Sequence, residues 1–288
     1  MHLDYLLQTV LLSLSSASIL LIATLGLAIV FGLMGVINLA HGEFIMIGGY
    51  AALSAVRAGV PFVLAIAIAT LVAAAFGALI ERLVISRLYG RLFDTMLATW
   101  GLSLALYQGA VLMFGTVTPG VAIATTSVQI GAYSISLYSL SMIGVAALLF
   151  AGLYLLFTRT GYGIAARAAI QDPNIARALG MQTVRLNNLT FALGSGLAGF
   201  AGAVLLPIIP ATPGMGFAFV IKAFLAVVAA GPVTLAGTLV SGGVLGALAS
   251  ASATYWSSVA GDLLFFAATI ALLVVFPRGL SAGWRIKL

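Results

Sequence analysis

Charged residues are scarce in this sequence of 288 residues, because six acids and twelve bases make up only 6% of the positions while hydrophobic residues make up 63%. In a soluble domain, roughly a quarter of the residues are charged, and they help to cover its surface. A chain with so few suits a lipid environment, where the outer surface is apolar and backbone polar groups are bonded internally. Long apolar runs favour helices over a β-barrel. The predicted fold class is therefore all-α, a polytopic transmembrane helical bundle.

Cysteine is absent, and there are only two histidines, His2 and His41. Without cysteine there are no disulfides, thiolate metal sites or iron–sulfur clusters, and two histidines are too few for a multi-histidine centre. We expect no metal and no cofactor bound by this chain. The net charge of +6 comes from bases in short loops, where they set membrane orientation and do not indicate nucleic-acid binding.

Seven apolar runs are long enough to span a membrane, and the first, which lacks a small-residue cleavage site, is expected to be a retained helix. An eighth apolar stretch, 216–252, is interrupted at Gly231 and Pro232, so it forms either two short crossings or a re-entrant pair of half-helices. We predict seven to nine membrane segments in a single domain over residues 1–288, and no internal repeat is evident. The seven runs are 6–30, 33–56, 62–80, 95–114, 136–157, 189–209 and 263–276.

The bases fall into three clusters separated by even numbers of predicted crossings. All three can therefore lie in the cytoplasm, as the positive-inside rule requires. This orientation places the N-terminus, Arg57 and the loop 115–130 outside and the C-terminus inside. The clusters are Arg82, Arg87 and Arg91; Arg159, Arg167, Arg177 and Arg185; and Arg278, Arg285 and Lys287.

No pattern in the sequence supports catalysis. A phosphate-binding loop ends in Gly-Lys followed by Ser or Thr, whereas Lys222 and Lys287 precede Ala and Leu. The six acids are spread along the chain and form no acid–base cluster. We therefore expect no catalytic residues and no ATP hydrolysis by this chain.

The string GSGLAG at 194–199 matches a dinucleotide-binding fingerprint, but that fingerprint works only as a strand-to-helix turn. Here it lies inside an apolar helical run. Small residues recurring every four positions allow two membrane helices to approach closely. We expect such helix packing at Gly194, Ala198, Gly202, Gly242 and Gly246.

A polar cluster in the second apolar run, Asn38, His41 and Glu43, is the first candidate for a solute pathway. Ionisable groups at membrane depth are costly and suggest function. The alternative is structural, with Glu43 near a helix N-terminus and His41 or Asn38 as its neighbour. His41 and Glu43 are two positions apart, so on a regular helix they would not share a face. Three further pathway candidates, about a turn apart on the fourth run, are Thr99, Ser103 and Gln108.

The long polar loop at 158–186 is predicted to contain two short amphipathic helices between 165 and 180. Asp172 before Pro173 is typical of a helix start, and Gly180 is typical of a helix end. Ala176 and Leu179 are expected on an apolar face that docks into a groove of a partner protein. The alternative is a surface loop without a partner.

Residues 26–32 (GLAIVFG) and 35–44 (GVINLAHGEF), together with the loop from Gly161 to Arg185, resemble the branched-chain amino acid permease family of ABC importers. The resemblance implies a multi-pass protein of the bacterial inner membrane whose cytoplasmic loop docks on an ATPase. The implied partners are a second, homologous permease subunit, two ATPase subunits that bind ATP and Mg, a periplasmic solute-binding protein and the lipid bilayer. The resemblance assigns ATPase coupling to Gly161, Gly163, Arg167, Gln171, Asp172, Pro173, Ala176, Arg177, Leu179 and Gly180.

Residues 88–91 (LYGR) and 94–101 (DTMLATWG) resemble the urea and short-chain amide branch, as do residues 34–38 (MGVIN), so urea or an amide is the predicted solute. Branched-chain amino acids are the alternative, because the chain lacks the longer N-terminal or external regions of many urea-type members. A stand-alone secondary transporter or channel is the second alternative, but Glu43, Lys222 and Asp262, unpaired by spacing, offer few coupling charges. This scarcity also predicts a solute without net charge.

Overall fold

The computed structural model describes residues 2–116, 120–121, 126–131, 133–231 and 234–283, which form eleven α-helices and one two-stranded hairpin. Seven of these helices are long and apolar enough to cross a membrane. With the shorter α2 and α9, this confirms the all-α class and the predicted seven to nine segments. The helices are α1 (His2–Met34), α2 (His41–Arg57), α3 (Phe62–Leu83), α4 (Leu92–Phe114), α5 (Leu137–Arg159), α6 (Gly161–Gln171), α7 (Pro173–Ala178), α8 (Thr183–Leu205), α9 (Phe217–Ala230), α10 (Thr234–Tyr255) and α11 (Ser258–Val275).

The hairpin was not predicted, because its residues were assigned to an external loop and to the start of a span. Strand β1 (Ser127–Ile130) pairs antiparallel with β2 (Tyr133–Ser136), and Ser127 lies opposite Ser136. Most of the remaining loop lies outside the described residues. Pro232, where the sequence predicted a break, also lies outside the described residues. Gly231, just before it, has a φ of 84°.

The helix ends form two faces of the bundle. On one face, which we call the tyrosine face, the ring of Tyr5 contacts those of Tyr133 and Tyr255 at centroid distances of 5.8 Å, so the start of α1, the hairpin and the end of α10 lie together. We call the other face the basic face: it comprises residues 82–91, the segment 159–185 and the junction of Gly231 with Gly279. Eight arginines of the described chain lie there, namely Arg82, Arg87, Arg91, Arg159, Arg167, Arg177, Arg185 and Arg278.

Helices α1–α4 and α8–α11 form an inverted repeat that the sequence did not reveal. Each half consists of a long helix, an irregular segment, a short helix and two longer helices. The packing repeats as well. Helix α1 of the first half packs on α9 and α10 of the second, and the equivalent helix α8 packs on α2 and α3 of the first. Because α1 starts at the tyrosine face and α8 starts at the basic face, the two halves run in opposite senses, as in many transporters.

The two short helices begin inside the bundle and meet there. A Cβ atom added at Gly216, just before α9, would lie 1.8 Å from the carbonyl oxygen of Gly42 in the first turn of α2. Stretch 216–252 is therefore a half-helix, α9, followed by the long helix α10. The second predicted run, 33–56, is also divided, because α1 continues to Met34 and α2 starts only at His41.

The interior is closely packed around glycine, and this gives a test of the fold. A Cβ atom at Gly202 would lie 1.8 Å from the carbonyl oxygen of Ile45, so α8 and α2 would have to separate. We expect Gly202→Ala to lower the free energy of unfolding by about 1–3 kcal/mol, the usual cost of overpacking. Thermal unfolding of the purified protein, followed by tryptophan fluorescence, measures this.

The matched control is Gly101→Ala, because Gly101 lies in α4 with no atom within 4 Å of an added Cβ. Alanine has the higher helix propensity, so this variant should be as stable as the parent or more stable. A Gly202→Ala protein that unfolds at the same temperature as the Gly101→Ala protein would contradict the packing described.

Candidate functional site

The segment 35–40 between α1 and α2 is irregular backbone at membrane depth. Such backbone is tolerated only where protein or a water-filled cavity satisfies its polar groups. Here side chains do so: Asn38 Oδ1 accepts from the backbone N–H of Ala40 at 3.1 Å, and Thr99 Oγ1 accepts from that of Leu39 at 3.2 Å. Gly35, with a φ of 63°, turns the chain out of α1. Asn38 and Thr99 therefore stabilise the break.

His41 ties the start of α2 to the middle of α1. Its ring is buried, and Nε2 donates to the carbonyl oxygen of Ala23 at 2.8 Å. Ala23 lies eleven residues before Met34, or about 16 Å from the end of α1 at 1.5 Å per residue. Since its ring is fully enclosed, His41 holds two helices in register within the bundle.

Glu43 lies in the first turn of α2 and connects that helix to α4. Its Oε1 accepts from Ser103 Oγ at 2.8 Å, the side chain is only 4% exposed, and Oε2 has no partner among the described residues. The position at a helix N-terminus favours a negative charge. The neighbour of Glu43 is therefore Ser103, not His41 or Asn38, and the prediction that His41 and Glu43 face different ways is confirmed.

Five of the six pathway candidates thus lie together, and Gln108 does not. Thr99 and Ser103 are buried against the 35–43 region, whereas Gln108 is exposed. Five residues separate Ser103 from Gln108, which is about 140° around a helix with 3.6 residues per turn. Gln108 therefore does not share the face of α4 that carries Thr99 and Ser103.

A second buried acid, Glu81, was not identified from the sequence. It is 1% exposed near the end of α3, where Asn188 Nδ2 donates to its Oε2 at 2.5 Å and the Tyr89 hydroxyl donates to its Oε1. Burial raises the pKa of the Tyr89 phenol, so it stays protonated as a donor. The signal in the sequence was one acid directly after an apolar run, but its partner Asn188 is 107 positions away.

The Glu81 network joins α3, the turn 88–91 and α8. Tyr89 belongs to the LYGR string that resembled the urea branch, and here it is a partner of Glu81. Asp94, from the second string, forms an exposed ion pair with Arg91 at 3.7 Å. Trp100 is 42% exposed on α4. Among the described residues, no hydrogen bond or ion pair joins Tyr89, Asp94 or Trp100 to Asn38 or Glu43. Thr99 is the member of that string that reaches the break, through the backbone of Ile37 and Leu39.

The predicted helix pair at the basic face is present as α6 and α7. Thr160 Oγ1 accepts from the N–H of Gly163, and Asp172 Oδ1 accepts from those of Asn174 and Ile175 at 2.8 and 3.0 Å. Pro173 is the first helical residue of α7. Gly180 follows α7 with a φ of 84°. The start and end of α7 therefore lie where the sequence placed them.

Gly163 and Tyr162 attach α6 to the bundle. A Cβ atom at Gly163 would lie 2.1 Å from the carbonyl oxygen of Phe157, so only glycine fits against the end of α5. The hydroxyl of Tyr162 shares a hydrogen bond of 2.7 Å with that of Thr190 on α8. Arg167 lies beside Leu33 of α1 and Leu235 of α10 in a small cleft.

Ala176 is not part of the exposed face of α7, which corrects the sequence prediction. It is 2% exposed, whereas Ile175 and Leu179 are 59% and 75% exposed. Ala176 packs inward because it lies on the side of α7 that faces the rest of the protein. The remaining coupling candidates on α6, α7 and the following turn, Gly161, Gln171, Pro173, Arg177 and Gly180, are exposed.

The small-residue candidates all lie at helix contacts. Added Cβ atoms would lie 2.8 Å from the Gly26 carbonyl oxygen for Gly194, 2.9 Å from Leu21 Cδ2 for Gly242 and 3.0 Å from Ala17 Cα for Gly246. Ala198, like Gly202, is buried in α8.

Lys222 and Asp262, which sequence spacing left unpaired, form an ion pair. Lys222 Nζ lies 2.6 Å from Asp262 Oδ1, although 40 positions separate them. The pair links α9 to α11.

Comparison with known proteins identifies the family. The family model described as "Branched-chain amino acid transport system / permease component" matches residues 9–274. The high-affinity branched-chain amino acid transport system permease protein BraD of Pseudomonas aeruginosa is 31% identical, with 95% of each chain covered. LivH of Escherichia coli K12, named for the same system, is 29% identical over 96% of this chain and 95% of its own.

A probable branched-chain amino acid transport permease protein LivH of Methanocaldococcus jannaschii is 27% identical over 93% of this chain and 90% of its own. No solved structure matches the chain. Permeases of this kind are multi-pass inner-membrane proteins that work with ATPase and binding-protein components, and the partner subunits hydrolyse ATP. The chain belongs to the branched-chain amino acid permease family, the membrane-spanning subunits of ABC importers.

Proposed function

We propose that this permease carries a net-neutral amino acid with an apolar side chain across the inner membrane, with its basic face in the cytoplasm. Its partners are a second permease subunit, two ATPase subunits and a periplasmic binding protein. The observation that carries the proposal is the match of nearly the whole chain to permeases named for branched-chain amino acid transport.

The interior supports a solute without net charge. At the break between α1 and α2, the polar groups are amides, hydroxyls, a histidine and one acid, and Glu43 is already bonded to Ser103. An ionic solute would require opposite charge along its path through a low-dielectric region. Lys222 and Asp262 neutralise each other and add no net charge.

Urea or a short-chain amide is the second candidate. The strings at 88–91 and 94–101 favour it, since they resemble that branch. Against it, Tyr89 is used in the Glu81 network and Asp94 in a surface ion pair, so much of this resemblance lies in packing and surface contacts.

The orientation follows from the distribution of charge. Eight arginines at the basic face and Arg57 on the other side give the asymmetry that the positive-inside rule describes. The helix pair α6–α7 then lies in the cytoplasm, where an ATPase can reach it. The tyrosine face, with the hairpin, lies in the periplasm.

Uptake by the reconstituted complex tests the solute. Purified permeases, ATPases and binding protein in vesicles should accumulate labelled leucine in an ATP-dependent manner, and labelled urea and acetamide should stay at background. Accumulation of urea or acetamide without leucine would establish the second candidate. Transport of sulfate or phosphate, with none of these three carried, would contradict the argument from charge.

Thiol labelling tests the orientation. Because the sequence contains no cysteine, only the introduced thiol can react. Gln129→Cys in β1 and Gln182→Cys before α8 place single thiols at exposed glutamines on opposite faces. A membrane-impermeant maleimide added to spheroplasts should label the first and spare the second. Lysed membranes should label both, and the reverse pattern in spheroplasts would overturn the orientation.

Docking of the ATPase tests the coupling role of α7. Leu179→Glu introduces a charge on the exposed face and should abolish co-purification of the ATPase subunits, because an apolar contact is lost and a charge is desolvated. The matched control, Val128→Glu, alters an exposed apolar residue of the hairpin and should leave the complex intact. Undiminished co-purification with the Leu179→Glu protein would contradict the role of α7.

A further inference from the structure

The Lys222–Asp262 ion pair lies in a cleft of about 280 Å³ between α1, α9, α10 and α11. Asp262 is four residues after the start of α11, about 6 Å below the tyrosine face. Lys222 is in the second turn of α9, a helix that itself begins inside the bundle. The Asp262 side of the cleft therefore lies in the half of the bundle that faces the periplasm in the proposed orientation, and Lys222 reaches it from the interior.

Charged groups in a membrane segment are costly and mark functional sites by default, and this pair keeps spare bonding capacity. Asp262 accepts from Lys222 through Oδ1, and Oδ2 has no partner among the described residues. The ammonium group has three donors, of which that bond uses one. Relative exposures of 27% for Lys222 and 54% for Asp262 leave both groups accessible to a ligand.

The rest of the lining combines hydroxyls with an apolar wall. Ser16 of α1, Ser250 of α10 and Ser258 of α11 supply the hydroxyls, and Leu20, Phe219 and Phe265 supply the wall. A small ligand with adjacent positive and negative groups and an apolar side chain fits this distribution. Urea matches the polar groups but is too small to use the apolar wall.

We propose that this cleft is a binding site for the zwitterionic head of an amino acid, with the carboxylate at Lys222 and the ammonium at Asp262. The four charges alternate in sign, so the occupied site has no net charge. The serine hydroxyls complete the hydrogen bonds, and the apolar side chain lies against Phe219 and Phe265. This inference rests on the proposed function and names the site within it.

Binding of leucine to the assembled complex without its binding protein tests the site. Labelled leucine should give saturable binding to the wild-type complex in nanodiscs. Asp262→Asn and Lys222→Gln should each weaken it about 10- to 100-fold, as expected for the loss of a hydrogen bond between charged groups. 4-Methylpentanoate, which lacks the ammonium, and leucinamide, which lacks the carboxylate, should fail to displace leucine.

The matched control is Asp94→Asn, because Asp94 forms an exposed ion pair with Arg91 on the basic face. This variant should bind leucine like the wild type. If either variant of the pair fails to assemble, Ser250→Leu narrows the cleft without removing a charge and should weaken leucine binding more than alanine binding. All variants are first checked for assembly by size-exclusion chromatography.

The two proposals fail in different ways. A complex that transports leucine but binds it equally well with Asp262→Asn, or does not bind it without the binding protein, would overturn the site alone. Displacement of leucine by 4-methylpentanoate or leucinamide as effectively as by leucine itself would also overturn it. A wild-type complex that accumulates no amino acid would overturn the proposed function.

Discussion

The rest of this structure depends on how backbone polar groups are satisfied where the chain leaves its helices inside the membrane. Lipid offers no hydrogen-bond partner, so each break needs partners within the protein. Asn38, Thr99 and His41 supply them between α1 and α2. At 206–216, short turns do so, such as the bond from the N–H of Met215 to the carbonyl oxygen of Thr212. Two half-length helices can thus begin within the bundle.

Glycine makes the meeting of those half-helices possible. Gly42 and Gly216 approach so closely that neither can carry a side chain, and Gly26 and Gly194 do the same where α1 crosses α8. Two inverted halves therefore share one centre with little free volume. Helix α4 and the end of α11, in contrast, are largely exposed. The two halves therefore meet at glycine contacts, which have no side chains to interlock.

The sequence predicted what depends on composition and local chemistry. The membrane class follows from scarce charge, and the start and end of α7 follow from Asp172, Pro173 and Gly180, whose bonds span a few residues. What it could not predict depends on distant partners. Glu81 meets Asn188, Lys222 meets Asp262, and the inverted repeat is a relation between packing contacts. The angle of Gln108 around α4 and the burial of Ala176 on the inner side of α7 also depend on how the helices pack.

Helix α8 connects the basic face to the centre. It begins just after α7, and its Thr190 bonds Tyr162 of α6 while its Asn188 bonds Glu81 of α3. One turn further on, Gly194 packs on Gly26 of α1, and Gly199 and Gly202 pack on α3 and α2. One continuous helix of 23 residues therefore connects α6 and α7 with α1, α2 and α3. Because α8 packs on α1, α2 and α3, it is the element of the second half that joins the basic face to the first half.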